Sequence, residues 1–398
     1  MYRACLLALA WLVIGVVDRA GAQAGRPSLF LERDGAAVFL RVEEQRFNPL
    51  AGHTPARAVV GANLGERPGA SFTINTPGEV LLEHVVAERM KHGIRLDRTG
   101  PSYIYDYRYE RFDGDGGIYG AAIKLGAGGA TNGATYVQRV FADAQQQPDA
   151  SYHRSNTDFI GIETGSGPVF VRDVTARNFG DAGIDAKSGP VYVLNATISN
   201  MHRPLRAWPH VEIVIVNSIV NAAPGHGQIW ISDASASVRY YNVLWCQGAE
   251  TPSRGDPRCR PHPWLIEGDA IAPAQTSARV TELNADPLVH SDTFFQTRYD
   301  RIVIETSADQ GAHWRTLAAL NAGDPSGPPL GDLRYRIPPN LALGENWFRA
   351  LCFNSSAHRT PVSSNVLNGL GGAVSITAPT IQHHLDMIQS IDHRRSRR

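Results

Sequence analysis

Between residues 157 and 248, short runs of alternating apolar and polar residues return at a nearly fixed interval. Gly161-Ile162-Glu163-Thr164 recurs as Gly183-Ile184-Asp185-Ala186 and, more loosely, as Leu205-Arg206-Ala207 and Ile229-Trp230-Ile231. Alternation with a period of two marks half-buried strands, with each Ile facing inward and the next residue facing outward. A second run recurs once per interval: Val171-Arg172-Asp173-Val174, Val193-Leu194-Asn195-Ala196, Ile215-Val216-Asn217-Ser218 and Tyr240-Tyr241-Asn242-Val243. Its turn residues, Asp173, Asn195, Asn217 and Asn242, are 22, 22 and 25 positions apart. Constant spacing with constant turn chemistry predicts an all-β chain whose repeats are coils of a parallel β-helix. The twist rule for parallel crossovers makes it right-handed. Stacking would bring the turn amides into a ladder, each bonding to neighbouring coils. An ordinary sandwich with turn asparagines is the competing reading, and it leaves the fixed period unexplained.

On either side the pattern loosens. Residues 76–156 read as earlier, less regular coils, with Gly93-Ile94-Arg95-Leu96 and Ala122-Ile123-Lys124-Leu125 on the strand template and Tyr103, Tyr105 and Tyr107 alternating in another strand. Asp113-Gly114-Asp115-Gly116-Gly117 resembles a fragment of a calcium loop but lacks the rest of the ligand set, so a plain turn is expected. Ala37-Val38-Phe39-Leu40-Arg41-Val42 alternates and reads as a strand capping the coils, within a first domain spanning 25–283. Residues 249–290 leave the repeat. A second domain is expected over 290–367, and the tail from 368 to 398, ending His393-Arg394-Arg395-Ser396-Arg397-Arg398, reads as disordered.

Composition narrows the setting. Apolar residues make up 43% of the chain, and Lys+Arg and Asp+Glu are 38 each. No net field draws the protein to nucleic acid or to an anionic membrane. Residues 1–24 have the form of a secretory signal: Arg3, an apolar Cys5–Val17 stretch, and Ala22-Gln23-Ala24 at the cleavage position. Nothing else is apolar enough to insert in a bilayer. A secreted or periplasmic monomer is expected. Export permits a disulfide, and Cys246 and Cys259, bracketing a polar loop, are its candidates, adding ~3 kcal/mol by restraining the unfolded chain. Cys352 lies in an apolar strand pattern and reads as a buried free thiol.

The outward positions carry the candidate chemistry. One face would gather Asp158, Glu163, Asp181, Asp185, Lys187, Arg203, Arg206, Trp208 and Trp230. With its 22-residue coils, its Asn turns and Gly180-Asp181-Ala182-Gly183-Ile184-Asp185-Ala186-Lys187, the stretch 76–250 resembles the right-handed parallel β-helix, pectate-lyase-like superfamily of polysaccharide-active enzymes. In lyase-type members, acids on one parallel sheet bind calcium and a Lys or Arg is the base. The resemblance thus implies Ca²⁺ at Asp158, Asp181 and Asp185, although this chain has one Asp at 181 where many lyases have two adjacent acids. Such chemistry is β-elimination on a uronic-acid polysaccharide, which needs a base and a group that neutralises enolate-like charge. Lys187, its pKa lowered by Arg206, is the candidate base, with Arg206 its rival. Asp185 and Glu163 complete the catalytic set, and Trp208, Trp230 and Arg203 are candidate sugar contacts.

Residues 290–367 resemble a fibronectin type III module. They carry an Asp-box-like Ser307-Ala308-Asp309-Gln310-Gly311-Ala312-His313-Trp314 and closing strands at Trp347–Ser355, Pro361 and Ser364-Asn365.

Other functions remain open at this point. The charged rows could be a solvated ion-pair ladder of little energetic weight. Gly225-His226-Gly227 and Ser155-Asn156-Thr157-Asp158 echo the hydrolases of the same superfamily, whose paired Asp and Arg-Ile-Lys are missing here. A non-catalytic glycan-binding or polysaccharide-assembly factor is the third reading.

Overall fold

The structure is a computed structural model. It describes residues 27–374 apart from 35–36, 44–47, 127–130, 149–154, 251, 254, 269–276, 289–292, 297–300, 322–331, 340, 342–345, 354–361, 365 and 369–372. The expected signal segment 1–24 and most of the expected tail lie outside the described residues.

The described chain is almost entirely β, and most of its strands pair in parallel. One eight-stranded sheet takes its strands in chain order: Ser71–Asn75, His92–Asp97, Tyr119–Leu125, Asn156–Ile162, Ala182–Ala186, Arg203–Ala207, Ile229–Ile231 and Ile266–Gly268. Each is hydrogen-bonded in parallel to the equivalent strand of the next repeat. A larger sheet takes the second strand of each repeat, so the chain alternates between two sheets and advances one strand per coil. Parallel order of this kind forbids hairpins and leaves both sheets facing one core. That core is built from rows. Ile94, Ile123, Ile160, Ile184, Leu205 and Ile229 occupy successive coils at one register position, each fully buried.

The predicted corner is present. The long strands Ser102–Phe112, Thr135–Asp143, Val169–Arg177 and Val191–Met201 bend at Asp106, Arg139, Asp173 and Asn195, with φ of 52°, 58°, 56° and 52°. The next two coils break there, at Asn217 (φ 47°) and Asn242 (φ 50°). Asn and Asp tolerate this left-handed conformation better than other non-glycine residues. Asn195 donates to Asp173 at 3.1 Å and Asn242 to Asn217 at 2.8 Å. A second, unexpected ladder marks another corner: Asn178 donates to Asp143 at 2.9 Å and Asn200 to Asn178 at 2.8 Å.

Cys246 and Cys259 form the expected disulfide, and the short strand Cys259–Arg260 folds back antiparallel on Leu244–Gln247. Cys352 is buried and free, as expected. The Asp113–Gly117 stretch is a turn: Asp113 accepts the Asp115 amide at 3.0 Å and pairs with Arg89 at 2.7 Å.

The N-terminal expectation needs correction. Ala37–Glu43 does not cap the coils. It pairs with Ser28–Asp34 and with Asp332–Arg336 as a three-stranded antiparallel sheet. This sheet shares one core with the sheet of Arg301–Ser307, Arg315–Asn321 and Trp347–Phe353: Leu29, Leu40 and Val42 pack with Ile302, Ile304, Phe348 and Cys352. Antiparallel pairing along the whole hairpin buries its apolar face there. The C-terminal sandwich is therefore assembled from both ends of the described chain, and it runs past 367, since Ala373–Val374 pairs with Val366–Asn368. The Asp309 turn has the expected form, accepting the His313 amide at 2.8 Å and the Ser307 hydroxyl at 2.7 Å. Among the described residues no helix is long and apolar enough to cross a membrane.

Candidate functional site

On the outward side of the eight-stranded sheet, three neighbouring rows of side chains run across the coils. The first holds Ser71, His92, Ala121 and Asp158. The second holds Arg95, Lys124, Gly161, Asp185, Arg206, Trp230 and Glu267. The third follows one turn further, where the amides of Glu163, Lys187, Trp208 and Ser232 bond the preceding coil. Glu163 therefore aligns with Lys187, and Gly161 with Asp185. The sequence template placed Glu163 beside Asp185, two residues out of register. Both placements point outward, because a slip of two preserves the face.

These rows enclose a cleft of about 110 Å³ lined by His92, Tyr119, Gly120, Lys124, Asn156, Asp158, Glu163, Asp185, Lys187, Arg206 and Trp208. Six of the nine predicted face residues meet in it. Asp181, Arg203 and Trp230 lie outside the lining. Trp230 is 2% exposed, its ring centred 5.1 Å from that of Trp208 and tilted by 57° to it, with Arg203 and Arg206 over its ring at 5.7 and 5.1 Å. It is therefore packing, and Trp208, half-buried, is the ring presented to the cleft. Arg203 pairs with Glu267 at 3.1 Å.

Charge in the cleft is closely matched. Lys187 Nζ lies 3.0 and 3.1 Å from the two Glu163 oxygens and 3.7 Å from Asp185, and Lys124 also bonds Glu163. Burial would depress the Lys187 ammonium, but Asp185 and Glu163 outweigh it and hold its pKa above the ordinary lysine value. The expected lowered pKa is thus reversed, since carboxylates rather than Arg206 are its immediate neighbours, and Lys187 is a fixed cation rather than a free base. Burial acts against ionised Glu163 as well, and the two lysines more than offset it, leaving its pKa below the usual value. Arg206 is no base either. It is 5% exposed, donates to Asp181 Oδ2 at 2.5 Å, and lies between the Trp208 and Trp230 rings at 5.2 and 5.1 Å. Asp185 accepts the Trp208 indole N–H at 2.6 Å.

Two groups in the cleft are shifted toward their uncharged forms. Asp158 is deeply buried; desolvation first, then the charges of Asp185 and Asp181, push its pKa well above the carboxylate range. His92 is pushed down to about 4 by burial and by Lys124, Arg95 and Lys91, while its Nδ1 contacts Ser71 Oγ at 2.7 Å. The sequence reading passed over His92 because it stands just before the strand template. Its signal was the row itself, two coils from Asp158 at the same register position.

The carboxylates assigned to calcium by resemblance do not fit that ion in this arrangement. Asp181 is bound by Arg206, Asp185 by Trp208 with Arg206 and Lys187 close by, and Asp158 favours its protonated form while accepting the Ala182 amide at 3.3 Å. A hard dication wants several ionised oxygens, and here cations already occupy their surroundings. No step is assigned to a metal.

The Gly-His-Gly stretch stands outside the cleft lining. His226 packs edge-on to His202, rings 4.2 Å apart, and His202 Nδ1 is 3.7 Å from Asp181. Burial and Arg203 hold His202 down to about 4. Comparison with known proteins finds no family model and no curated protein that matches this chain.

Proposed function

We propose that the protein is an exported, polysaccharide-active enzyme that cleaves a uronic-acid-containing chain by β-elimination. In this reading it belongs with the right-handed parallel β-helix, pectate-lyase-like proteins and carries a fibronectin type III-like accessory module. The observation that carries the reading is the cleft: Lys124 and Lys187, the buried carboxyl of Asp158, the uncharged His92 and the face of Trp208 all line one recess in the stacked sheet.

Elimination removes the proton α to the sugar's carboxylate and expels the β-oxygen of the linkage, which takes a proton to leave as a hydroxyl, so that a carbon–carbon double bond remains in the sugar. Lys124, Lys187 and the Asp158 carboxyl, which burial pushes toward its protonated form, are suited to hold the carboxylate and stabilise charge as it moves onto it. His92 is the base, because it alone of the basic side chains in the lining is unprotonated at neutral pH. With Nδ1 carrying the proton and donating to Ser71 Oγ, Nε2 takes the substrate proton. Trp208 offers a flat apolar surface to a sugar ring.

One observation favours hydrolysis as a second reading. Asp158, its pKa raised by burial, shares the cleft with Asp185, held among Trp208, Arg206 and Lys187, and two carboxyls in such different surroundings can act as acid and base on a glycosidic bond. Incubation with a panel of acidic polysaccharides separates the two. Elimination gives an unsaturated product seen by ultraviolet absorbance, whereas new reducing ends without that chromophore would replace lyase by hydrolase. Binding without any product would leave a glycan-binding or assembly factor.

A further inference from the structure

Long polar side chains fill the middle row of the cleft except at one coil. Lys124 and Asp185 stand on either side of Gly161, which has no side chain. The backbone does not demand glycine there, since Gly161 lies outside the left-handed region. What the glycine provides is space. A methyl carbon added at Gly161 would lie 3.3 Å from Lys124 Cδ and 3.4 Å from both Lys124 Nζ and Asp158 Oδ2. An ammonium and a carboxyl oxygen thus overhang a bare stretch of backbone. In the adjoining row Ala121, with only a methyl group, separates His92 from Asp158. The backbones flanking Gly161 are two coil spacings apart, ~9–10 Å, and the Lys124 side chain leans over that interval to reach Glu163.

We propose that the gap over Gly161 is the seat of the substrate's carboxylate, held between the Lys124 ammonium and the Asp158 carboxyl, and that Gly161 thereby sets specificity for uronic acids. The proposal rests on the reading of the cleft as a site for an acidic polysaccharide and adds the residue that selects the sugar. Lys124 commits one of its three N–H donors to Glu163 and has others to give. Asp158 directs Oδ1 to the Ala182 amide, and Oδ2 is its oxygen nearest the gap. A protonated carboxyl donates to an anion, which an ionised one would repel. Both contacts are then charge-assisted bonds, and a neutral sugar offers no anion to receive them. A methyl group at Gly161 would crowd the Lys124 side chain and any carboxylate seated under it.

The test is calorimetric titration of the full-length protein with oligogalacturonate, oligomannuronate and oligoglucuronate, each beside its carboxyl-reduced form. Wild type is expected to bind at least one uronate roughly tenfold to a hundredfold more tightly than its reduced form, the worth of charge-assisted bonds. Gly161→Ala should bring that ratio close to one with the thermal melt unchanged. Should Gly161→Ala fail to fold, Lys124→Gln carries the same expectation. A ratio retained in the folded variants overturns the seat, as does equal binding of both forms, or of neither, by wild type. Product formation is scored in parallel. A uronate preference abolished at Gly161 with no bond cleaved supports the seat and overturns the enzymatic reading, whereas cleavage with a preference indifferent to Gly161 overturns the seat alone.

Discussion

Trp208 and Trp230 share an outward-facing region of one sheet and do different work. Trp230 lies under Trp208 and two arginines, while Trp208 borders the cleft and holds Asp185 through its indole N–H. Trp230→Ala should therefore cost ~3–5 kcal/mol of stability, as for a large buried aromatic, read as a lowered thermal midpoint. Trp208→Ala should weaken glycan binding with a much smaller change in the melt. Outward direction could be read from alternation, but exposure could not, because cover comes from side chains on neighbouring coils. Glu163 shows the same limit: its face was legible, its neighbours were not, since the period-two pattern cannot distinguish registers that differ by two. His92 makes a sharper statement about pH. As a base held down to about 4, it stays unprotonated and competent below the ordinary histidine range and is lost only as pH falls through about 4. The acid limb of kcat/KM should lie near that value. A limb near 6.5, the unperturbed value, would remove His92 from the role.

At the scale of the strand and corner, sequence reading went furthest. The 22-residue interval located the turn at Asp173, Asn195, Asn217 and Asn242, and all four take the left-handed conformation. Asn217→Ala would take away the acceptor of the Asn242 amide and put alanine at φ 47°, so a loss of ~1–3 kcal/mol is expected in chemical denaturation, and an unchanged midpoint would count against the ladder. In earlier coils the same corner is made by Asp106 and Arg139, which no search for asparagine would find. The second ladder, Asp143–Asn178–Asn200, keeps the interval from 178 to 200 but adjoins none of the repeated strand templates, so nothing local marked it. The disulfide was legible because Cys246 and Cys259 bracket one short polar loop, which leaves few other partners.

Across the whole molecule, the least legible contact is the pairing of Ala37–Glu43 with Asp332–Arg336. Alternation identified the strand, and no feature of it names a partner so distant in the chain. Its apolar face, Leu40 and Val42, shares the core of Ile302, Ile304 and Phe348. Deleting residues 28–43 should leave that core open on one side. The expected outcome is loss of the sandwich's melting transition and aggregation, with the disulfide-bonded coil region still resistant to protease. A variant whose sandwich melts as in wild type would show that the hairpin is dispensable.

That pairing also sets an order of events. The hairpin at Ser28–Glu43 precedes the coils along the chain, and its outer partner, Asp332–Arg336, follows them. Every coil can stack on the one before it as the polypeptide emerges, but the hairpin must wait, apolar face uncovered, until the chain beyond all the coils has arrived. Closing so long a loop adds little entropy beyond a shorter one, because the penalty grows only with the logarithm of length. The delay is what matters. A chain cut short anywhere among the coils would keep well-formed repeats and still display an unpaired strand edge at its front, a mark by which a protease or chaperone can tell an unfinished copy from a finished one.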